Sequence, residues 1–165
     1  MKRRRALFLV VLSLLVVSVG GLVGGSRPAL AVVSKSPLGT TAVSYAGTVH
    51  GQPENVFLSG LVLITRTVVR DPDFGQPAVV VYSIDFSNVT GQGQKTGQPY
   101  VTSGNQVLIR PLVATDVVDV IFDFFPSGGS ILAARQALAS FTFNYNTVSG
   151  SPTGTTTSST ADVLL

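Results

Sequence analysis

Val79-Val80-Val81-Tyr82-Ser83-Ile84-Asp85-Phe86-Ser87-Asn88 sets the period on which the rest of the chain is read. Val80, Tyr82, Ile84 and Phe86 alternate with Val81, Ser83, Asp85 and Ser87, so a strand here has one apolar face and one mostly polar face. Such a strand covers a core from one side only. Val117 to Phe125 repeats the pattern, with Val118, Val120, Phe122 and Phe124 on one face and Asp119 and Asp123 on the other. In Ala139 to Thr147, Ala139, Phe141, Phe143 and Tyr145 alternate with Ser140, Thr142, Asn144 and Asn146. Three strands with aromatic inner faces predict one common core.

Working outward, Asn55 to Arg70 is longer and rich in β-branched residues, and Gly60 near its start predicts a bent strand or a pair crossing a sheet corner. Thr41 to His50 reads as a weaker strand and Gln106 to Arg110 as a short one stopped by Pro111. Turn chemistry separates these runs at Gly51-Gln52-Pro53, Asp71 to Gly75, Gly91 to Pro99, Pro126 to Gly129 and Ser149 to Gly154. Residues 32–41 read as an irregular lead-in, because Pro37 and Gly39 interrupt them, and Thr153 to Leu165 as a polar Thr/Ser-rich stretch. Ile131 to Leu138, behind Ser130 as a cap, is the one segment with a helical reading. Short strands with turns between them and no alternating helices predict an all-β protein. The expected form is an antiparallel β-sandwich, Greek-key or jelly-roll-like, of about seven or eight strands in a single domain over residues 42–165. The runner-up is a small β-barrel. A membrane barrel would turn its apolar face outward between aromatic girdles, whereas these aromatics fall mid-strand.

The amino terminus has the three parts of an export signal: basic Lys2 to Arg5, an apolar run from Ala6 to Val19, and the small-x-small site Ala29-Leu30-Ala31. Residues 1–31 are read as a signal peptide cleaved after Ala31, with glycines at 20, 21, 24 and 25 and Pro28 favouring cleavage over an uncleaved anchor. Arg4-Arg5 also fits loosely to a twin-arginine signal. The reading places the remaining chain in the periplasm or outside the cell, with no stable membrane insertion.

Cleavage changes the charge. The full chain carries +3, but Lys2, Arg3, Arg4, Arg5 and Arg27 precede the cut, leaving six scattered basic residues against eight acids, a net −2. Phosphate backbones call for clustered positive charge, so nucleic acid is not an expected partner. With no cysteine and a single histidine, His50, thiol catalysis, disulfides and nitrogen–sulfur zinc sites drop out. A serine hydrolase would need His50 as its base, and no serine has Gly-x-Ser-x-Gly surroundings. His50 reads as a solvated strand end.

Asp119 and Asp123 are the best-placed carboxylate pair for glycoside chemistry. Four positions along a strand separate α-carbons by about 13 Å, against about 5 to 9.5 Å between the carboxyl groups of glycosidases, so a solvated face is the expected role. Asp71-Pro72-Asp73-Phe74-Gly75 resembles the start of a calcium loop, with Asp71 and Asp73 as weak candidate ligands, but Gln76 and Tyr82 stand where glycine and glutamate belong. It reads as a turn. Gly91 to Gly97 looks like a phosphate cradle, yet Val89, Gln94 and Thr96 occupy positions where the phosphate-binding patterns require glycine. Asn88-Val89-Thr90 is an N-glycosylation sequon.

Loops on rigid sheets gather recognition residues, and Gln92, Gln94, Lys95, Thr96 and Tyr100 are the candidate ligand-binding residues. No catalytic residue and no cofactor are assigned. The chain is expected to be a non-catalytic module that binds a protein or glycan. One alternative is an assembly subunit using edge-strand addition, with the Thr153 to Leu165 tail as its motive. The other is a carboxylate-based glycan hydrolase.

Overall fold

The computed structural model describes residues 34–71 and 77–161, and these form nine antiparallel strands with no α-helix. In chain order they are β1 (Ser34–Val49), β2 (Val56–Arg70), β3 (Val79–Asp85), β4 (Val89–Gly93), β5 (Pro99–Ser103), β6 (Asn105–Pro111), β7 (Thr115–Pro126), β8 (Arg135–Asn144) and β9 (Thr157–Ala161). All belong to a single sheet ordered β6-β3-β2-β4-β5-β7-β8-β9, with β1 along the other edge of β2. The all-β antiparallel expectation holds. The sheet does not close by backbone ladders, although Ser158 Oγ of β9 donates to Ser44 O of β1.

β2 organises the sheet because it serves two neighbours along one edge. Its first part, Val56 to Gly60, pairs with β4, and its second, Leu63 to Val69, with β3, while β1 runs beside both. The fork falls at Gly60, where the β3–β4 connection crosses: a Cβ on Gly60 would stand 2.2 Å from Asn88 O and 2.7 Å from Val89 Cα. Only glycine permits that approach, and its φ of +156° is one that side chains rarely adopt. The bent strand expected over Asn55 to Arg70 is this element.

Alternation then fills the core. Val56, Leu58, Val62, Ile64 and Val68 of β2, Val80, Tyr82 and Ile84 of β3, and Phe86 just beyond it point inward, opposite Val118 to Phe124 of β7 and Ala137 to Phe143 of β8. The rings lock these parts together. Phe86 stacks on Phe122 with centroids 4.1 Å apart, Tyr45 of β1 meets Phe122 edge-on at 5.5 Å, and Tyr82 lies 4.6 Å from Phe143.

Four expectations are corrected. The lead-in over 32–41 is strand from Ser34 onward, because a bulge between Pro37 and Gly39, with Gly39 at φ +84°, absorbs the residues that looked like a break. Ile131 to Leu138 is not a helix: a 3-10 turn at Ile131–Ala133 ends before β8, whose ladder to β7 gives Arg135 to Leu138 more backbone partners than an isolated helical turn would. The tail contributes β9, paired to β8 from Leu138 to Thr142. The strand count is nine among the described residues, not seven or eight.

Candidate functional site

Arg135 of β8 fixes the segment that leads into β2. Its Nη1 donates to Glu54 O at 2.8 Å and its Nη2 to His50 O at 3.2 Å, while the guanidinium lies 5.1 Å from the centre of the Phe124 ring. Glu54, the chain's sole glutamate, is thereby held almost fully buried, 8% exposed. Its Oε2 accepts from Lys95 N at 2.8 Å and Thr96 N at 2.9 Å, and its Oε1 from Thr96 Oγ1 at 2.6 Å. The Thr96 hydroxyl, then the Thr96 and Lys95 amides, hold the carboxyl below its ordinary range against an opposing effect of burial.

Two glycines make this contact geometrically available. Val89, Gly91 and Gly93 are the inward positions of β4, and a Cβ on Gly93 would sit 2.3 Å from Glu54 Oε1. A Cβ on Gly91 would meet Leu58 Cδ2 at 2.6 Å and Tyr100 Cβ at 3.1 Å. Alternate glycines on a crowded strand face and a flexible glycine-rich loop look alike in sequence. The turn itself is short, and each amide from Gln94 to Gln98 has an acceptor. Gln94 N donates to Asn55 O at 2.9 Å, Gly97 N to Gly93 O at 2.9 Å and Gln98 N to Thr96 Oγ1 at 3.1 Å, alongside the two bonds to Glu54.

Beside this turn lies a groove of about 480 Å³, lined by Pro53, Glu54, Thr96, Gln98, Tyr100, Pro126, Ser127, Gly128 and Gly129. The β5–β7 ladder brings its two walls together: Tyr100 pairs with Pro126, and Ser127 N donates to Pro99 O at 2.8 Å. One carboxylate and no cationic side chain face it.

Of the residues singled out in the sequence, Thr96 and Tyr100 line this groove, whereas Gln92, Gln94 and Lys95 are exposed beside it and do not. Tyr100 is buried, its ring edge-on to Phe124 at 5.8 Å, so it forms a wall and not a surface platform. Pro53, Glu54, Gln98 and Ser127 were not legible as site residues, since nothing local marks a lone glutamate after a turn as the anchor of a segment forty residues on. Asp119 and Asp123 sit on the outer side of β7, each bonded to its own cross-strand partner: Ser140 Oγ donates to Asp119 Oδ1 and Gln136 Nε2 to Asp123 Oδ1. They do not converge. His50 is exposed at the end of β1, its carbonyl accepting from Arg135. Asp73 lies outside the described residues, as do Ala29, Ala31 and the whole of the export-signal reading. Among the described residues no group of three or more His, Cys, Asp or Glu is placed to hold a metal ion, and no helix is long and apolar enough to cross a membrane.

No family model, curated protein or solved structure matches this chain.

Proposed function

We infer that the chain is an exported, non-catalytic binding module whose ligand seat is the groove between the Gln94–Gln98 turn and the Pro126–Gly129 segment. The observation that carries this reading is the buried Glu54 carboxylate tying the turn down from below, with every amide of the turn satisfied. A recognition loop ordered before its ligand arrives loses little conformational entropy on binding. The lining favours a neutral, hydroxyl-rich ligand: Gln98, Ser127 and Thr96 offer amide and hydroxyl groups, Pro53, Tyr100 and Pro126 offer apolar surface, and no cation is present to attract phosphate. A glycan has that chemistry. The separately bonded Asp119 and Asp123 give no support to the hydrolase alternative.

The test is calorimetric titration with a panel of soluble glycans, using the unmodified chain and Gln98→Ala and Ser127→Leu variants. Saturable binding by the unmodified chain, weakened by each substitution, is the expected result. Absence of binding across the panel, or binding that both variants retain, would overturn the reading.

A second reading, assembly by strand addition, is favoured by β6. This strand pairs with β3 alone, and Val107 and Ile109 on its outer face are 62% and 68% exposed. The tail that first motivated it is instead bonded to β8 along β9.

A further inference from the structure

One row of cross-strand partners on the outer face of the sheet runs into the groove. Thr48 of β1 pairs with Phe57 of β2, Phe57 with Gln92 of β4, and Gln92 with Pro99 of β5, while Ser127 N donates to Pro99 O at 2.8 Å. Ser127 already lines the groove, so the row joins the groove to Phe57, a ring 44% exposed. From Phe57 to Ser127 is three strand spacings, about 14 Å along the sheet.

The alternation that fills the core turns this row outward. Val56 and Leu58 on either side of Phe57 are fully buried, as are Val49 after Thr48 and Tyr100 after Pro99, and Gly91 and Gly93 are the inward positions beside Gln92. Gln92 leans towards the groove: its Nε2 is the atom nearest to a Cβ built on Gly97, at 4.0 Å, which places the amide beside the Gln94–Gln98 turn. The row carries no charge. The neighbouring outward positions, Ser59 and Leu61 of β2, Thr90 of β4 and Val101 of β5, carry none either.

We propose that the ligand is a linear, neutral oligosaccharide that fills the groove and continues from Ser127 over Pro99 and Gln92 to stack on Phe57. This rests on the glycan reading of the groove and extends it from a sugar to a chain of sugars. A pyranose is polar at its rim and apolar on its C–H faces, and the row alternates groups that suit both. Phe57 presents a ring whose electron-rich face attracts polarised C–H groups, Pro99 an apolar edge, Gln92 an amide that donates and accepts, and Ser127 a hydroxyl. A single sugar is shorter than this track. Ionic polymers find no counter-charge along it. An extended peptide adds to a sheet through a free strand edge, and β2, β4 and β5 each have ladder partners on both sides.

The test is calorimetric titration of the unmodified chain with neutral oligomers of glucose, of mannose and of N-acetylglucosamine, each from the single sugar to the hexasaccharide. In a series that binds, affinity is expected to rise with length until the track is filled. Phe57→Ala is expected to bind the longest oligomers about five- to tenfold more weakly, the loss of one aromatic contact, and the disaccharide unchanged. Phe57→Tyr keeps the ring and is expected to keep the length dependence. Gln92→Ala, at an exposed position, is expected to weaken the longest oligomers as well and decides should Phe57→Ala fail to fold. Binding that does not depend on length, or a length dependence that the Phe57→Ala and Gln92→Ala variants retain, would overturn this extension and leave the groove reading standing; absence of binding in every series would overturn both.

Discussion

Glu54 is the residue on which the candidate site turns, and its protonation gives a test of that role. Its pKa is lowered in the folded chain from an ordinary 4.5, chiefly by the Thr96 hydroxyl, so its contribution to stability is present above pH 4.5 and is lost as pH falls through the lowered value. Denaturant titrations from pH 6 downward are expected to show stability falling below pH 4.5, with a smaller fall in Glu54→Gln, whose amide has one acceptor oxygen to offer three donors. Equal pH dependence in the two proteins would remove the carboxylate from the account. At the other end of the sheet burial pushes the Tyr82 and Tyr145 phenols up from 10, so stability is expected to fall as pH rises past 10, less so in Tyr145→Phe. In the core, Phe122→Ala breaks the stack with Phe86 and is expected to cost about 3 to 5 kcal/mol in chemical denaturation. The inward ring residues could be read directly from the alternation. Arg66 and Asp116 could have been read the same way, because the period that points Val62, Ile64 and Val68 inward also points Arg66, and that of Val118 and Val120 also points Asp116. Polarity hid them. A charged residue on an apolar face reads as the end of a strand unless its partners, which lie on other strands, are known.

Among the elements, β2 is the most demanding, since one strand must end a ladder with β4 and begin another with β3 within a few residues. Gly60 makes the exchange sterically feasible, and Gly60→Ala is expected to destabilise the protein by at least about 2 kcal/mol through its positive φ and the clash with Asn88 O. Thermal unfolding checks this, and a melting temperature within a degree of the unmodified chain would mean the fork tolerates a side chain. The bend was legible because a glycine interrupted a long β-branched run. β4 and the start of β1 were not, for a shared reason: glycine and proline mark breaks in most chains, but here Gly91 and Gly93 make room for Tyr100 and Glu54, and Pro37 and Gly39 form a bulge inside a continuing strand. β9 escaped notice because its serines and threonines alternate with nothing apolar, and its register comes wholly from β8.

For the whole molecule, the sheet that begins at β6 and ends at β9 leaves β6 with one ladder partner and an exposed Val107 and Ile109. Strand addition there would appear in sedimentation velocity as a concentration-dependent series of species that Val107→Lys with Ile109→Lys abolishes; a single monomeric species at all concentrations would rule strand addition out. Composition and period gave the all-β antiparallel class, while strand order came from contacts between residues far apart in the chain, such as Arg135 with Glu54 and Ser158 with Ser44, which no local pattern encodes. One continuous sheet, through the Glu54 carboxylate, holds the Gln94–Gln98 turn in a single geometry, the one proposed for ligand recognition. Amide hydrogen exchange on the ligand-free protein tests it most directly. The Lys95 and Thr96 amides are expected to exchange slowly, together with those of β4 and β5, and to become fast in Glu54→Gln while β7 and β8 stay protected; exchange of both amides at the rate of an unstructured chain in the unmodified protein would contradict it.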